Sequence, residues 1–452
     1  VRSRRQRQMC IRDRLSASIS PSVEHVKPAE SVLRGPGRRR GVRGFLLARA
    51  CAAAAAGLLG LGAQAQTATA PAAAPVLDAG AYQACLARLA AQAPDKGVAR
   101  DVFRSALEGV QPDPSILPLL DAQPEFKTPI WDYLAALVDD ERVADGQRML
   151  VQWRDVLTRV QQQYGVDPAT VVAVWGVESN YGQNFGGRPL LSSLSTMSCF
   201  GRRQAYFQGE LYATVKIIQD EHVAPERLVG SWAGAFGHTQ FMPSTYLRLA
   251  VDFDGDGRRD LVDSVPDALA STANFLAKAG WRDDLAWGYE VRLPAGFDAG
   301  VAGRRNKQPM SRWTALGVLR VDGSTLPAGS APAALLLPAG AQGPAFVVTR
   351  NFDAIFSYNA AESYGLAIAH LSDRLRGGSR FVTPWPTDDA GLSRAERREL
   401  QGLLIMRGHD IGSPDGIIGA KTREAIGAEQ TRLGLTANGR AGQKILQALR
   451  PS

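Results

Sequence analysis

One block of short alternating runs interrupts an otherwise helical chain, and this interruption narrows the fold more than any other feature. Residues 287–348 contain runs such as Tyr289-Glu290-Val291-Arg292-Leu293 and Ala345-Phe346-Val347-Val348-Thr349, separated by Gly and Pro, the signature of short strands. On either side the apolar spacing is helical, beginning with Tyr82 to Leu107, dominating to about Trp281, and returning from Ala360 to Arg376. Strands confined to one stretch do not give the repeating strand–helix order of a parallel sheet. They predict an α+β fold, mainly α, with a small β subdomain. Thr383-Pro384-Trp385-Pro386-Thr387-Asp388-Asp389 reads as a linker. The roughly sixty residues after it suffice only for a small helical domain.

Charge matters through its location. The formal balance of +8 would suit a polyanion partner, but residues 1–65 hold 13 Lys and Arg against 3 Asp and Glu, and the rest of the chain holds 39 against 41. The basic excess belongs to the leader, so no nucleic-acid partner is expected. Within the leader, Arg38, Arg39, Arg40 and Arg43 form a positive segment, Phe45 to Leu61 an apolar one, and Ala63-Gln64-Ala65 a small-residue cleavage site. This is the pattern of an export signal, cleaved near Ala65. Arg49 interrupts the apolar run, which argues against a retained membrane anchor. Cys51 lies inside that run rather than at its end, a poor position for a lipid. The first 30 residues lack an apolar pattern, and Met9 or a later residue is a candidate start. The expected organisation is a leader over 1–65 and a flexible Ala, Thr and Pro-rich N-terminus over 66–80. A catalytic domain over 81–380, a linker over 381–391 and a terminal domain over 392–450 follow.

Only Cys85 and Cys199 survive that processing. In an exported protein they are compatible with one disulfide or with two separate buried thiols, since sequence supplies no distance between them.

Asp167-Pro168 is a helix start, an N-cap acceptor followed by proline at the first helical position. Val171, Val174 and Val177 continue an apolar stripe, and Glu178 follows where the helix meets the polar, glycine-bearing Ser179-Asn180-Tyr181-Gly182. Partial burial there would raise the carboxyl pKa and keep it protonated near neutral pH, as a general acid requires. Taken alone, the segment equally describes a surface glutamate at a helix end. Asp252-Phe253-Asp254-Gly255-Asp256-Gly257-Arg258-Arg259-Asp260-Leu261-Val262-Asp263 has oxygen donors and glycine at EF-hand spacing. Asp252, Asp254, Asp256, the Arg258 carbonyl, Asp260 and Asp263 are the expected ligands of a structural Ca2+. Asp263 replaces the longer closing glutamate, which weakens bidentate closure; a solvated acidic turn is the plain alternative.

Several blocks in order carry a resemblance. They are Gly176-Val177-Glu178-Ser179-Asn180-Tyr181-Gly182; Arg202-Arg203 followed by Tyr206-Phe207-Gln208-Gly209-Glu210-Leu211; Gly230-Ser231-Trp232-Ala233-Gly234-Ala235-Phe236-Gly237; Gln240-Phe241-Met242-Pro243-Ser244-Thr245-Tyr246; then the acidic loop, Tyr358-Asn359 and Tyr364. Over Tyr82 to Leu375 the chain resembles the lytic transglycosylase B family of peptidoglycan-cleaving enzymes. The resemblance implies a lysozyme-like fold with a glycan groove between a helical lobe and a smaller β-containing lobe. It places the acid and base on Glu178, and substrate-binding residues on Ser231, Gln240, Tyr358, Asn359, Tyr364, Arg202 and Tyr133. Phe275 departs from the tyrosine expected there.

The implied reaction cuts the MurNAc-β-1,4-GlcNAc bond and leaves 1,6-anhydro-MurNAc ends, with one carboxylate where ordinary glycosidases use two. No cofactor is expected in that chemistry. The last unit, with Leu392, Leu400-Gln401, Leu403-Leu404, Gly408, Asp415-Gly416-Ile417-Ile418-Gly419, Thr422, Ala425-Ile426, Gln430, Gly434-Leu435 and Gly439, resembles the helical peptidoglycan-binding domain. It would act by raising effective concentration at the wall. The expected protein is a monomer in the periplasm of a Gram-negative bacterium, acting on peptidoglycan strands. The alternatives are a hydrolytic muramidase using Glu210 as second carboxylate, and a catalytically silent wall-binding protein.

Overall fold

The computed structural model describes residues 77–121 and 128–451. The expected leader with its Ala65 cleavage site, and most of the expected flexible N-terminus, lie outside them.

Helix α1 (Ala79–Gln92) is capped by the Asp78 side chain. The helical pattern expected to run on to Leu107 breaks at Pro94 and at Gly97, whose φ of 73° closes a short 3-10 turn before α2 (Arg100–Leu107). Helices α3 (Ile130–Leu137), α4 (Asp140–Gln152), α5 (Arg154–Tyr164) and α6 (Pro168–Ser179) follow. As the sequence predicts, α6 starts at Asp167, whose carboxylate accepts from the Thr170 N–H at 2.9 Å. Every residue from Ala169 to Gly176 is buried, so α6 runs through the core with neighbours on all sides.

After α6 a two-strand ribbon pairs β1 (Arg188–Pro189) with β2 (Val229–Gly230). It brackets α7 (Leu190–Cys199) and α8 (Gln204–Gln219), and α9 (Pro243–Leu249) and α10 (Val265–Lys278) complete the helical part. Helices α1, α7 and α8 share one core with Phe236, Phe241 and Tyr246. Cys85 of α1 is bridged to Cys199 of α7, with their Cα atoms 5.9 Å apart, which resolves the two readings of the cysteines.

The expected β subdomain is a five-stranded antiparallel sheet in the order β4-β6-β7-β3-β5. Its strands are β3 (Gly288–Arg292), β4 (Gln308–Pro309), β5 (Leu319–Arg320), β6 (Pro332–Leu336) and β7 (Ala345–Val348), with α11 (Met310–Ala315) between β4 and β5. Alternate side chains of a strand face opposite sides, and β7 is covered on both. Phe346 and Val348 join the main helical core, while Ala345 and Val347 join a small core around Trp313. The Trp313 indole donates to the Ala333 carbonyl at 3.0 Å, satisfying its buried N–H.

Helix α12 (Arg350–Asn359), which the sequence pattern did not mark, precedes α13 (Glu362–Leu375), the helix expected from Ala360 to Arg376. Ala360, at φ 53°, turns the chain between them. Helix α13 packs against α6 in the main core. Full burial of each aliphatic side chain there contributes about 1.5–3 kcal/mol.

The stretch read as a linker is laid onto the molecule. Phe381 stacks on His370 with ring centres 3.8 Å apart and packs on Phe346. The Val382 and Thr383 N–H groups donate to the Glu290 carboxylate at 2.8 and 2.7 Å. Beyond it, α14 (Arg394–Met406), opened by a Ser393–Glu396 capping box, and α15 (Ala420–Arg432) and α16 (Gln443–Leu449) enclose a separate core of Leu400, Leu404, Ile426 and Leu446. Gln401 grips the Asp-Gly turn, accepting from the Gly416 N–H at 2.6 Å and donating to the Ile417 carbonyl. Gln430 accepts from the Asn438 and Gly439 N–H groups.

Candidate active site

The segment that ends α6 is built from backbone strain and glycine. Asn180 and Tyr181 take left-handed conformations in succession, at φ 51° and 59°, a combination that L residues adopt only where the surroundings enforce it. Tyr181 is held by a hydrogen bond from its hydroxyl to the Arg142 carbonyl at 2.8 Å. Its ring occupies the space that a Cβ on Gly176 would need, 2.6 Å from that position. Gly182 is fixed in the same way, since a Cβ there would lie 2.5 Å from the His238 ring. Ser179 donates to the His238 carbonyl at 2.6 Å. His238 in turn accepts from the Trp175 indole at 3.0 Å through Nδ1, and burial lowers its pKa to about 4, so the ring is neutral at neutral pH. The sequence blocks stop at Gly237 and resume at Gln240; the two residues between them turn out to carry much of the local architecture.

Glu178 faces inward from the last turn of α6 with a small accessible surface. Desolvation raises its pKa to about 8, against a smaller lowering by a hydrogen bond from the Tyr364 hydroxyl to Oε1. At neutral pH the carboxyl is therefore mostly protonated. Tyr364 lies in a near-parallel arrangement with Tyr358, ring centres 6.2 Å apart, and is close enough to Tyr133 that ionisation of either phenol would disfavour that of the other. The Tyr358 hydroxyl donates to the Thr239 carbonyl at 2.7 Å. Both phenols are pushed well above their ordinary pKa by burial and remain neutral. Phe275 packs on Tyr358 at 4.5 Å and on Phe241 at 5.9 Å, so the departure from tyrosine is filled by an aromatic cluster.

The structure thus joins Glu178, Tyr364, Tyr358 and the 239–240 backbone into one continuous row. Gln240, at φ 50°, directs its Nε2 to the Phe185 and Gly237 carbonyls at 3.2 and 2.9 Å. In this arrangement the donors of its amide are committed to the protein. Ser231 closes a tight turn, its Oγ accepting from the Ala235 N–H at 3.1 Å. Asn359 ends α12 beside Tyr358 and is half-buried. Arg202 is exposed ahead of α8, donating to the Leu120 carbonyl at 3.1 Å. Glu210, the alternative second carboxylate, is buried and caps α9, with Oε2 accepting from the Ser244 N–H at 2.9 Å and Oε1 from the Ser244 hydroxyl at 2.8 Å. That use removes it from the chemistry.

The acidic loop converges in part. Carboxylate oxygens of Asp252, Asp254 and Asp256 lie within 4.8 Å of one another and are exposed. Gly255 and Gly257 donate their N–H groups to Asp252 at 2.7 and 2.9 Å. The other two expected acidic ligands point elsewhere. Asp260 accepts from the Val262 and Asp263 N–H groups at 2.7 and 2.9 Å, and Asp263 is bound by the guanidinium of Arg227. Sequence reasoning missed Asp267, which is fully buried and accepts from the N–H groups of Phe253, Asp254 and Asp260. Desolvation raises its pKa to about 6. Its only sequence signal is its position in the first turn of α10, which many aspartates share.

Comparison with known proteins agrees with this geometry. Residues 81–373 match the family described as Transglycosylase SLT domain, and residues 393–449 the one described as Putative peptidoglycan binding domain. Membrane-bound lytic murein transglycosylase B of Escherichia coli is 37% identical over 206 residues, 43% of this chain and 57% of the relative, so the match spans little more than half that relative's length. SltB3 from Pseudomonas aeruginosa, solved in complex with NAG-anhNAM-pentapeptide, is 45% identical with a TM-score of 0.66, covering 82% of this chain and 99% of that one. The Escherichia coli lytic transglycosylase SLT35, solved in complex with calcium, is 31% identical with a TM-score of 0.57, covering 65% of this chain and 92% of that one.

Proposed function

This chain belongs to the transglycosylase SLT domain family, and on that premise we propose that it is a peptidoglycan lytic transglycosylase with Glu178 as its single acid and base. The observation that carries the reading is a protonated carboxyl at the end of a buried helix, bound on one oxygen by Tyr364, while Glu210, the alternative second carboxylate, is committed to capping α9. Oε1 accepts from the phenol, which leaves the Oε2 proton for the glycosidic oxygen. As the MurNAc C1–O bond breaks, that oxygen takes the proton and GlcNAc departs, assisted by the substrate's N-acetyl group. Glu178, now a carboxylate, removes the proton from the MurNAc C6 hydroxyl, whose oxygen closes onto C1. The proton returns to Glu178, no water is consumed, and the product ends in 1,6-anhydro-MurNAc.

Ser231, Gln240, Tyr358, Asn359, Tyr364, Arg202 and Tyr133 line the path of the glycan in this reading. The aromatic faces offer apolar surface with polar tips, and the Gln240 carbonyl accepts from a sugar hydroxyl or amide N–H. Asp252, Asp254 and Asp256, with the Arg258 carbonyl, hold a structural Ca2+. Three carboxylate oxygens crowded together, with glycines at the sharp turns, fit a hard cation. The cation would rigidify the loop and has no place in bond cleavage. Asp260 and Asp263 join the set only by turning away from the partners they have here.

The 81–380 unit is the catalytic domain and the 392–450 unit binds the wall. The protein acts as a monomer on glycan strands in the periplasm, after cleavage near Ala65. Among the described residues no helix is long and apolar enough to cross a membrane. Digestion of purified sacculi followed by mass spectrometry tests the reading. Muropeptides lighter by one water than lysozyme products are expected, whereas reducing-end products would show a hydrolase and an unchanged turbidity a silent binding protein.

A further inference from the structure

We infer that the C-terminal unit, through Arg394, positions the turn that carries Glu178, so that the wall-binding domain is also part of the framework of the reaction. This rests on the assignment of Glu178 made above. Arg394 is the first residue of α14, and its side chain is only 14% exposed. All three of its nitrogens are engaged in the catalytic unit. Nε donates to Glu141 at 3.1 Å, Nη2 to Asp145 at 3.2 Å, and Nη1 to the Asn180 side-chain oxygen at 2.8 Å. The guanidinium fork thus ties the start of α4 to the residue two positions beyond Glu178.

Asn180 needs such a tie. It and Tyr181 form the pair of left-handed residues that ends α6, and a pair of this kind persists only where contacts over-determine it. Tyr181 is pinned from within the catalytic unit, by Arg142 and by the space left at Gly176 and Gly146. Asn180 has a local partner in Gln183, to which its Nδ2 donates at 2.9 Å, and its other side-chain atom is held by Arg394. The docking that brings Arg394 there is fixed at further points. Arg398 pairs with Glu141, and Arg440 binds Asp132 through Nε at 2.7 Å and Nη2 at 2.6 Å. Gly391 lies so close that a Cβ would come within 2.8 Å of the Asp132 Cα. The C-terminal unit is therefore docked on the catalytic unit at several points. It holds one side of the turn while Tyr181 holds the other.

The test uses the full-length chain and a short soluble glycan fragment, so that retention on the wall does not enter. Asn180→Gly is the central variant, because glycine takes the left-handed conformation without strain and removes only the side chain that Arg394 grips. Asn180→Gly and Arg394→Gln are each expected to lower kcat roughly tenfold to a hundredfold, the scale of a small misplacement of a reacting group, with KM nearly unchanged. Their double variant should fall no further than either alone, and Arg394→Lys should recover part of the loss. The alkaline limb of the kcat profile should also move to lower pH, because a loosened turn lets water reach Glu178 where it faces Tyr358 and Tyr364. Wild-type kcat in Asn180→Gly, additive losses in the double variant, or an Arg394→Gln enzyme impaired only in binding sacculi would each overturn the inference. Should Arg394→Gln fail to fold, Asn180→Gly still decides. Failure of the wild type to cleave the fragment would instead overturn the assigned activity, and this inference with it.

Discussion

The turn at Glu178 and the loop at 252–263 hold their carboxylates in opposite ways. Glu178 meets its partner Tyr364 across 186 residues of sequence and sits half-buried at the end of a core helix. Asp252, Asp254 and Asp256 are exposed, and N–H groups of the loop itself fold them toward one another. One arrangement removes solvent from a single acid and so retains its proton. The other crowds like groups in solvent, a repulsion that a cation relieves. The two sites use the same functional group, and in the proposed reading its neighbours decide whether it would transfer protons or bind metal.

Glu178→Gln should break the comparison most severely. General acid and base assistance is worth about a hundred- to ten-thousand-fold, and with both proton transfers on one residue the loss should reach at least the upper end. The variant should also gain thermal stability relative to wild type as pH rises. The folded-state pKa of about 8 lies above the ordinary 4.5. Stability from the protonated carboxyl is thus fully present below about 4.5, and is lost as pH climbs through about 8. Gln carries no such dependence. Differential scanning calorimetry at pH 5 and pH 9 tests this, and a gap that does not widen at pH 9 would count against the buried acid. Wild-type turnover should decline over the same rise through about 8.

Tyr364→Phe sharpens the comparison by leaving Glu178 buried but alone. A hydrogen bond to a charged group contributes about 1.5–3 kcal/mol, and its loss should cost at least about tenfold in kcat. The phenol lowers the pKa of Glu178, so its removal should move the alkaline limb to higher pH. Unmoved limbs in a less active variant would show that Tyr364 serves substrate binding instead.

For the loop, the expected effect lies on stability. Calcium at a hundredfold excess over its dissociation constant should stabilise the fold by about 2.7 kcal/mol, with no change in product mass. Identical melting curves with calcium and with chelator would remove the metal. Smallest of all should be Asp263→Ala, which loses only an exposed pair with Arg227, of a kind that contributes little. Its melting temperature should barely move and its calcium response should persist, whereas Asp256→Ala should abolish that response. Equal loss in both would return Asp263 to the ligand set.

What the sequence made legible was local. The Asp167–Pro168 cap, the end of α6 and the spacing of the acidic loop depend on contacts within a few residues, and each is where the pattern put it; the block of strands was legible from its alternation, although Gly288 of β3 pairs with the distant Val348 of β7. The left-handed turns at Asn180 and Ala360 escaped because neither is glycine, and Asn180 is held by Arg394 from 214 residues away. Asp260 and Asp263 satisfy a spacing rule, but spacing does not say which way a carboxylate faces, and Arg227 lies 36 residues from Asp263. Asp267, which no sequence pattern singled out, proved to be the anchor of the loop's backbone. The 381–391 segment has the composition of a tether, yet Glu290 and Phe346 bind it, and composition carries no information about such distant partners. The row of Tyr364 and Tyr358 was reached by family resemblance alone.

The Cys85–Cys199 bridge has one more consequence, for the topology of the chain. It converts the stretch from α1 to α7 into a covalent ring with Glu178 on its circumference. A protease that cuts one peptide bond in that ring leaves both pieces attached. In the unfolded state a closed loop of about a hundred residues forgoes conformational freedom worth about 4.7 kcal/mol in the chain-entropy treatment. Synthesised where thiols stay reduced, the same chain would have to find the Glu178–Tyr364 contact from a far larger set of conformations.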